Sequence, residues 1–191
     1  MSGRESTRSS KAGAAVRPPS RDVGRRPQTF RFEDDGVVPN HPTWPLLLYR
    51  AAVPLSETSD PAAVFEDLFQ RNGWGASWRN GVYGYTHYHS RIHEALGVAR
   101  GSAKVQFGGE RGPIVEVNAG DVAVLPAGTG HKRIDASADF LVVGAYPPEG
   151  QYDLCTRSAD REQALTTIAK TPRPSTDPVY GDGGPLIDVW I

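Results

Sequence analysis

Four of the chain's five histidines fall in two short stretches. The first runs Gly81-Val-Tyr-Gly-Tyr-Thr-His87-Tyr-His89-Ser-Arg-Ile-His93-Glu94. On an extended strand, residues i and i+2 face the same side, so His87 and His89 project together. Two imidazoles on one face are how a sheet offers nitrogen ligands to a single ion. Ser90 to His93 has the length of a turn. Glu94 then starts a returning strand and points its carboxylate back at the same spot. If the turn is one residue shorter, His93 takes that place, because neighbours on a strand face opposite sides. The second stretch is Gly120-Asp-Val-Ala-Val-Leu-Pro126-Ala-Gly128-Thr-Gly130-His131. It reads as an apolar strand ending in a Pro/Gly turn, with His131 at the start of the next strand. His41, in Asn40-His41-Pro42, reads as an exposed loop residue.

Strand parity extends these positions into a candidate pocket. Tyr83 and Tyr85 share the face of His87 and His89, and Arg133 shares that of His131. Leu96 and Val98 share the parity of Glu94. An apolar wall with a few aimed polar groups suits a small-molecule ligand, and Arg133 suits an anionic group on it. The sequence singles out no catalytic residue.

The elements that must hold these residues are short strands. From Trp74 to Pro147, glycine turns separate Ser102–Phe107, Ile114–Val117, Val122–Leu125 and Phe140–Val143, a spacing that marks a sandwich or barrel. Ahead of them, Thr29 to Glu33 reads as a strand and Pro45 to Val53 holds a buried apolar run. One clear helix follows: Asp60 caps it, Pro61 sits at its first position, and Val64/Leu68 and Phe65/Phe69 form its apolar face. Asn72-Gly73 closes it. A second helix is expected from Asp160 to about Lys170, with Asp160 and Gln163 spaced for reciprocal capping. The apolar end, Pro185 to Ile191, is expected to dock.

The spacing of the histidine stretches resembles the cupin superfamily, whose motifs are G-x5-H-x-H-x4-E-x6-G and G-x5-P-x-G-x2-H-x3-N. Gly81, His87, His89, Glu94 and Gly101 meet the first in full. Gly120, Pro126, Gly128 and His131 meet the second, with Asp135 where the pattern has Asn, a departure expected to touch only a turn. His87-Tyr-His89-Ser, Pro126-Ala-Gly-Thr-Gly-His131-Lys, Ser77-Trp-Arg-Asn-Gly and Asp177-Pro-Val-Tyr-Gly together resemble the YjlB-like bacterial cupins. The resemblance implies an all-β fold with a few flanking helices, the double-stranded β-helix or jelly-roll barrel. It implies a metal bound by His87, His89, Glu94 and His131. Three imidazoles and a carboxylate suit one divalent transition-metal ion (Fe, Mn, Ni, Co or Zn) over Ca or Mg. The implied function is a metal-dependent enzyme on a small organic molecule, by oxygenation, isomerisation or decarboxylation. The alternative is a non-catalytic binding or sensing protein.

Bulk properties narrow the rest. The 191 residues suit one domain, expected over residues 28–191 with its barrel core at about 74–147. Residues 1–27 carry seven basic residues against two acids and no aromatic, and read as a disordered tail. With 21 basic and 22 acidic residues, nothing draws the chain to nucleic acid, and no run is long enough to span a membrane. The expected partners are a small-molecule ligand and, as an option, a second copy in a homodimer. Cys155 is the single cysteine, read as a partly buried structural thiol, which favours a reducing cytoplasm.

Overall fold

A computed structural model describes residues 26–55 and 58–191. The basic tail, apart from its last two residues, lies outside them. The described residues form two antiparallel sheets. The strands are β1 (Gln28–Phe30), β2 (Leu46–Tyr49), β3 (Gly75–Asn80), β4 (Glu94–Arg100), β5 (Ser102–Phe107), β6 (Ile114–Asn118), β7 (Val122–Leu125), β8 (His131–Ala136) and β9 (Leu141–Tyr146). The larger sheet has the order β1-β2-β7-β4-β9-β3 and the smaller one β6-β5-β8. Order and burial together give a two-layer jelly roll. The larger sheet draws β1 and β2 from ahead of residue 74, so the barrel wall begins earlier in the chain than the glycine-punctuated stretch.

The two sheets differ in burial, and their sequences differ accordingly. β5 alternates, with Ala103, Val105 and Phe107 inside and Lys104 facing solvent, because only one face of the smaller sheet is covered. β2 and β7 are continuously apolar and buried on both faces. One face, with Leu46, Leu48, Leu96, Val98 and Ala123, closes on the smaller sheet. The other, with Leu47, Tyr49, Ala95, Val122 and Val124, closes on α1 (Pro61–Arg71) and on the C-terminal segment.

α1 starts and stops where its sequence dictates. The Asp60 carboxylate accepts from the Ala63 amide at 3.3 Å, and Gly73 turns at φ +81°. Phe65 and Phe69 are fully buried, each worth roughly 1.5–3 kcal/mol, while Val64 and Leu68 pack at the margin. Gly97 in β4 makes room for Phe65: a Cβ there would lie 2.3 Å from the ring.

Three local expectations are corrected. The second helix, α2 (Arg161–Ile168), follows a 3-10 turn at Ser158–Asp160. There the Asp160 carboxylate accepts from the Thr156 and Arg157 amides instead of sharing a cap with Gln163. Asp135 lies within β8, opposite Lys104, and not in a turn. His41 is buried, not exposed: its Nδ1 accepts from the Trp44 amide at 2.9 Å and its ring stacks on Trp44 at 4.5 Å. The C-terminus docks as expected. α3 (Pro185–Val189) buries Leu186, and the buried Trp190 donates its indole N–H to the Pro45 carbonyl at 2.8 Å.

Candidate metal centre

His87 and His89 lie on an extended segment held from both sides. His87 forms a two-way backbone bridge with His131 at the head of β8, and Tyr88 bridges Cys155. The His89 carbonyl accepts from the Gly128 amide at 2.7 Å, so the Pro126–Gly128 turn is tied to the histidine segment. Gly128 has φ +89°, and a Cβ there would lie 2.9 Å from the Asn40 carbonyl oxygen. Glu94 opens β4 and pairs with Leu125 at the end of β7. Three separate elements thus bring four side chains to one point.

His87, His89 and His131 are all buried, and each offers a ring nitrogen within 4.8 Å of the other two. In all three, Nδ1 is engaged by a backbone carbonyl: Tyr85 for His87 and Thr129 for His131, each at 3.1 Å, and Asp153 for His89. A carbonyl only accepts, so each neutral ring carries its proton on Nδ1 and keeps a free lone pair on Nε2. Glu94 Oε2 lies 3.5 Å from Nε2 of His89 and 3.4 Å from Nε2 of His131. It is buried and has no hydrogen-bond donor.

The charges follow from this placement. Burial, then His131, pushes His87 down to about 3, so it stays neutral. Burial opposes ionisation of Glu94, yet His89 and His131 outweigh it and hold the carboxyl below its usual range. Burial lowers His89, but the Glu94 charge more than reverses this and raises it. Ring nitrogens aimed at one point beside a buried carboxylate oxygen that has no donor form a site that a cation would complete. The donor set fits a first-row transition metal.

His93 sits on the other side of β4. It is fully buried, its Nδ1 accepts from the Ala127 amide at 2.9 Å, and its Nε2 donates to the Pro172 carbonyl at 3.0 Å. Its ring packs against Trp44 and Trp190, at 5.6 and 5.1 Å. Both nitrogens are spent away from the cluster, so His93 is not at the position open to the alternative ligand.

A cavity of about 300 Å³ opens beside the cluster. Of the expected pocket residues, Tyr83 and Leu96 line it. Tyr85 stacks outside on Tyr83 at 4.9 Å and is half exposed. Val98 faces a separate apolar gap of about 10 Å³ deeper in the barrel. Arg133 is exposed and contributes nothing to the lining. The lining includes Trp78, Arg79, Tyr146 and Tyr152, none of which the sequence placed in the pocket, although Trp78 and Arg79 lie in the Ser77-Trp-Arg-Asn-Gly run. Trp78 donates to the Tyr146 hydroxyl at 2.8 Å, and burial and the nearby Glu94 charge raise the Tyr146 phenol. The segment after β9 folds back over the histidines. Its Asp153 carboxylate takes the Ser90 amide at 2.9 Å and the Ser90 hydroxyl at 2.6 Å, while its carbonyl takes His89. Parity along β9 from the apolar Val142 would have pointed to Tyr146. No local signal marks Asp153, which lies 64 residues from His89.

No family model matches the chain. Over 168 residues it is 43% identical to the uncharacterized protein YjlB of Bacillus subtilis (strain 168), covering 87% of this chain and 98% of that one. Among solved structures it is similar to an acireductone dioxygenase from Bacillus anthracis, at 19% identity and TM-score 0.36, over 55% of this chain and 80% of that one. It is also similar to an uncharacterized double-stranded β-helix protein from Klebsiella pneumoniae, at 14% identity and TM-score 0.35, over 75% of this chain and 85% of that one. The identity to YjlB spans nearly the whole of both chains, and the chain belongs to the YjlB-like family.

Proposed function

We propose that this cupin holds one divalent transition-metal ion (Fe, Mn, Ni, Co or Zn) through Nε2 of His87, His89 and His131 and the carboxylate of Glu94. We propose further that it is a metal-dependent enzyme acting on a small organic molecule. The observation that carries this is the convergence of three free Nε2 lone pairs on a buried carboxylate oxygen with no donor, beside an open cavity. When bound, the metal supplies Lewis acidity or one-electron chemistry at that cavity, the basis for oxygenation, isomerisation or decarboxylation. The chain's own residues hold the three tautomers, screen the site with the Tyr152–Asp153 segment, and keep the Tyr146 phenol protonated as a hydrogen-bond donor.

A second reading, a non-catalytic binding or sensing protein, draws on the lining. Beyond the four proposed ligands, its ionisable groups among the described residues are Arg79, already paired with acids, and phenols. A base outside the metal shell is not offered. The lone Cys155 is buried, and burial, then Asp153, pushes its thiol up to about 11, which fits an inert thiol in a reducing cytoplasm. Among the described residues no helix is long and apolar enough to cross a membrane.

Elemental analysis of untagged protein tests the metal, with about one equivalent per chain expected. Persistent absence after reconstitution with Fe, Mn, Ni, Co and Zn would refute the reading. Oxygen uptake with candidate substrates on the loaded protein then separates turnover from binding.

A further inference from the structure

Resting on the metal centre proposed above, we propose that Tyr146 is the hydrogen-bond donor to an anionic oxygen of a small oxyacid guest, a carboxylate or enolate, and that Trp78 is the positioning residue that aims it. Strand register supplies the first part of the argument. Between β4 and β9, Ala95 pairs with Ala145 and Leu96 with Gly144, so the next step along both strands sets Tyr146 opposite Glu94. Directly opposed residues share a face of the sheet. Tyr146, Glu94 and Leu96 all line the cavity, which puts a phenol beside the carboxylate of the histidine cluster. The Tyr146 ring stands edge-on to the His89 ring, 6.1 Å away. Tyr83 and Tyr152, the other phenols of the lining, are exposed to competing water, whereas Tyr146 is buried.

The direction of the phenol proton supplies the second part. On the other edge of β9, Trp78 of β3 pairs with Gly144. Glycine leaves room there for the indole to lie across the strand: a Cβ on Gly144 would fall 2.1 Å from Cε2 and 2.4 Å from Nε1 of Trp78. In this pose the indole reaches Tyr146, two residues on, and donates its N–H to the phenol oxygen at 2.8 Å. An indole nitrogen only donates, so the phenol can only accept from it. The phenol's single proton must therefore point elsewhere. On this face the acceptors are the Glu94 carboxylate and whatever oxygen a guest brings beside it. The indole bond also polarises the phenol, which makes its O–H the stronger donor. A donor fixed in a partly buried cavity favours an oxygen that carries or gathers negative charge.

The test is calorimetric binding to the full chain loaded with Zn, with acetohydroxamate and imidazole as probes. Acetohydroxamate is an oxyacid that brings anionic oxygen to a metal. Imidazole binds a metal through one nitrogen and keeps only an N–H, so it offers the phenol no acceptor. Tyr146→Phe is expected to weaken acetohydroxamate about tenfold, the worth of a hydrogen bond to a charged group, and to leave imidazole unchanged. Trp78→Phe keeps a ring over Gly144 and removes the N–H. It is expected to weaken acetohydroxamate about threefold, again with imidazole unchanged. The double variant should bind acetohydroxamate no more weakly than Tyr146→Phe alone, because Trp78 acts through the phenol. Full affinity for acetohydroxamate in Tyr146→Phe overturns the proposal. So does an equal loss for both probes, a pair of losses that multiply in the double variant, or failure of acetohydroxamate to bind a chain shown to carry Zn. Failure to take up Zn at all is a different result: it removes the metal-centre reading and this inference with it.

Discussion

His93 and Glu94 are neighbours in sequence, and their substitution is expected to damage different properties. Glu94→Gln keeps the shape of the side chain and removes the one negative charge at the histidine cluster. Its expected effect is on metal: affinity falls by about 100-fold or more, the upper end of what even supporting residues cost. Stability of the metal-free chain should also fall, since the charge that faces the buried His89 and His131 is removed, but metal affinity is the larger loss. His93→Ala works the other way. It strips the acceptor from the Ala127 amide, about 1–3 kcal/mol, and leaves a hole beside Trp44 and Trp190. With the cavity included, roughly 3–5 kcal/mol is expected, a large share of a typical domain's stability. Metal affinity should move little. Urea denaturation of the metal-free proteins and chelator-competition titrations read the two effects separately. If His93→Ala abolishes metal binding at full stability, or Glu94→Gln binds as tightly as the parent, the division of labour across β4 is wrong.

Further outcomes follow from the same geometry. Asp153→Ala removes the carboxylate that pins Ser90 and should weaken metal binding about tenfold, read by the same titration, with a modest loss of stability. Gly97→Ala drives a Cβ into the Phe65 ring and should cost about 1–3 kcal/mol in denaturant titrations while leaving metal stoichiometry unchanged. Burial lowers His41 from 6.5 to about 4, so between those values the unfolded chain holds the extra proton and stability rises with pH. The contribution is complete above about 6.5 and lost toward 4, of order 3 kcal/mol in all. His41→Gln should flatten that part of the stability-versus-pH curve, measured by urea midpoints across the range.

Much of the barrel was legible because its strands obey simple periodicity. Ser102–Phe107 and Val122–Leu125 were bounded correctly by the glycines around them, and α1 by its cap and its Asn72-Gly73 stop. Parity put Glu94 and His93 on opposite faces, but which of the two meets the histidines depended on the length of the turn, which the sequence left open. Parity failed for Tyr85, Val98 and Arg133 because it says which face a side chain takes, and nothing about how far along the barrel the cavity reaches. His41 was misread for a related reason: a loop histidine before proline looks solvated until Trp44 and Trp190 close over it. Those contacts join residues 41, 44 and 190, and no local pattern carries them. The fold-back of Tyr152 and Asp153 was invisible on the same ground.

The carbonyls that fix the three imidazole tautomers belong to Tyr85, Thr129 and Asp153, and all are main-chain groups. A side chain in that role could be deleted by one nucleotide change; a peptide oxygen cannot. Substitution at these three positions alters what hangs from the chain and leaves the acceptor in place, provided the backbone path survives. Tyr85 and Thr129 are thereby free to vary as side chains without releasing the histidines they orient, whereas Asp153 also spends its carboxylate on Ser90. The proton arrangement of the site is protected by the course of the polypeptide itself, and sequence drift around the cavity can retune the guest while the Nε2 lone pairs stay aimed.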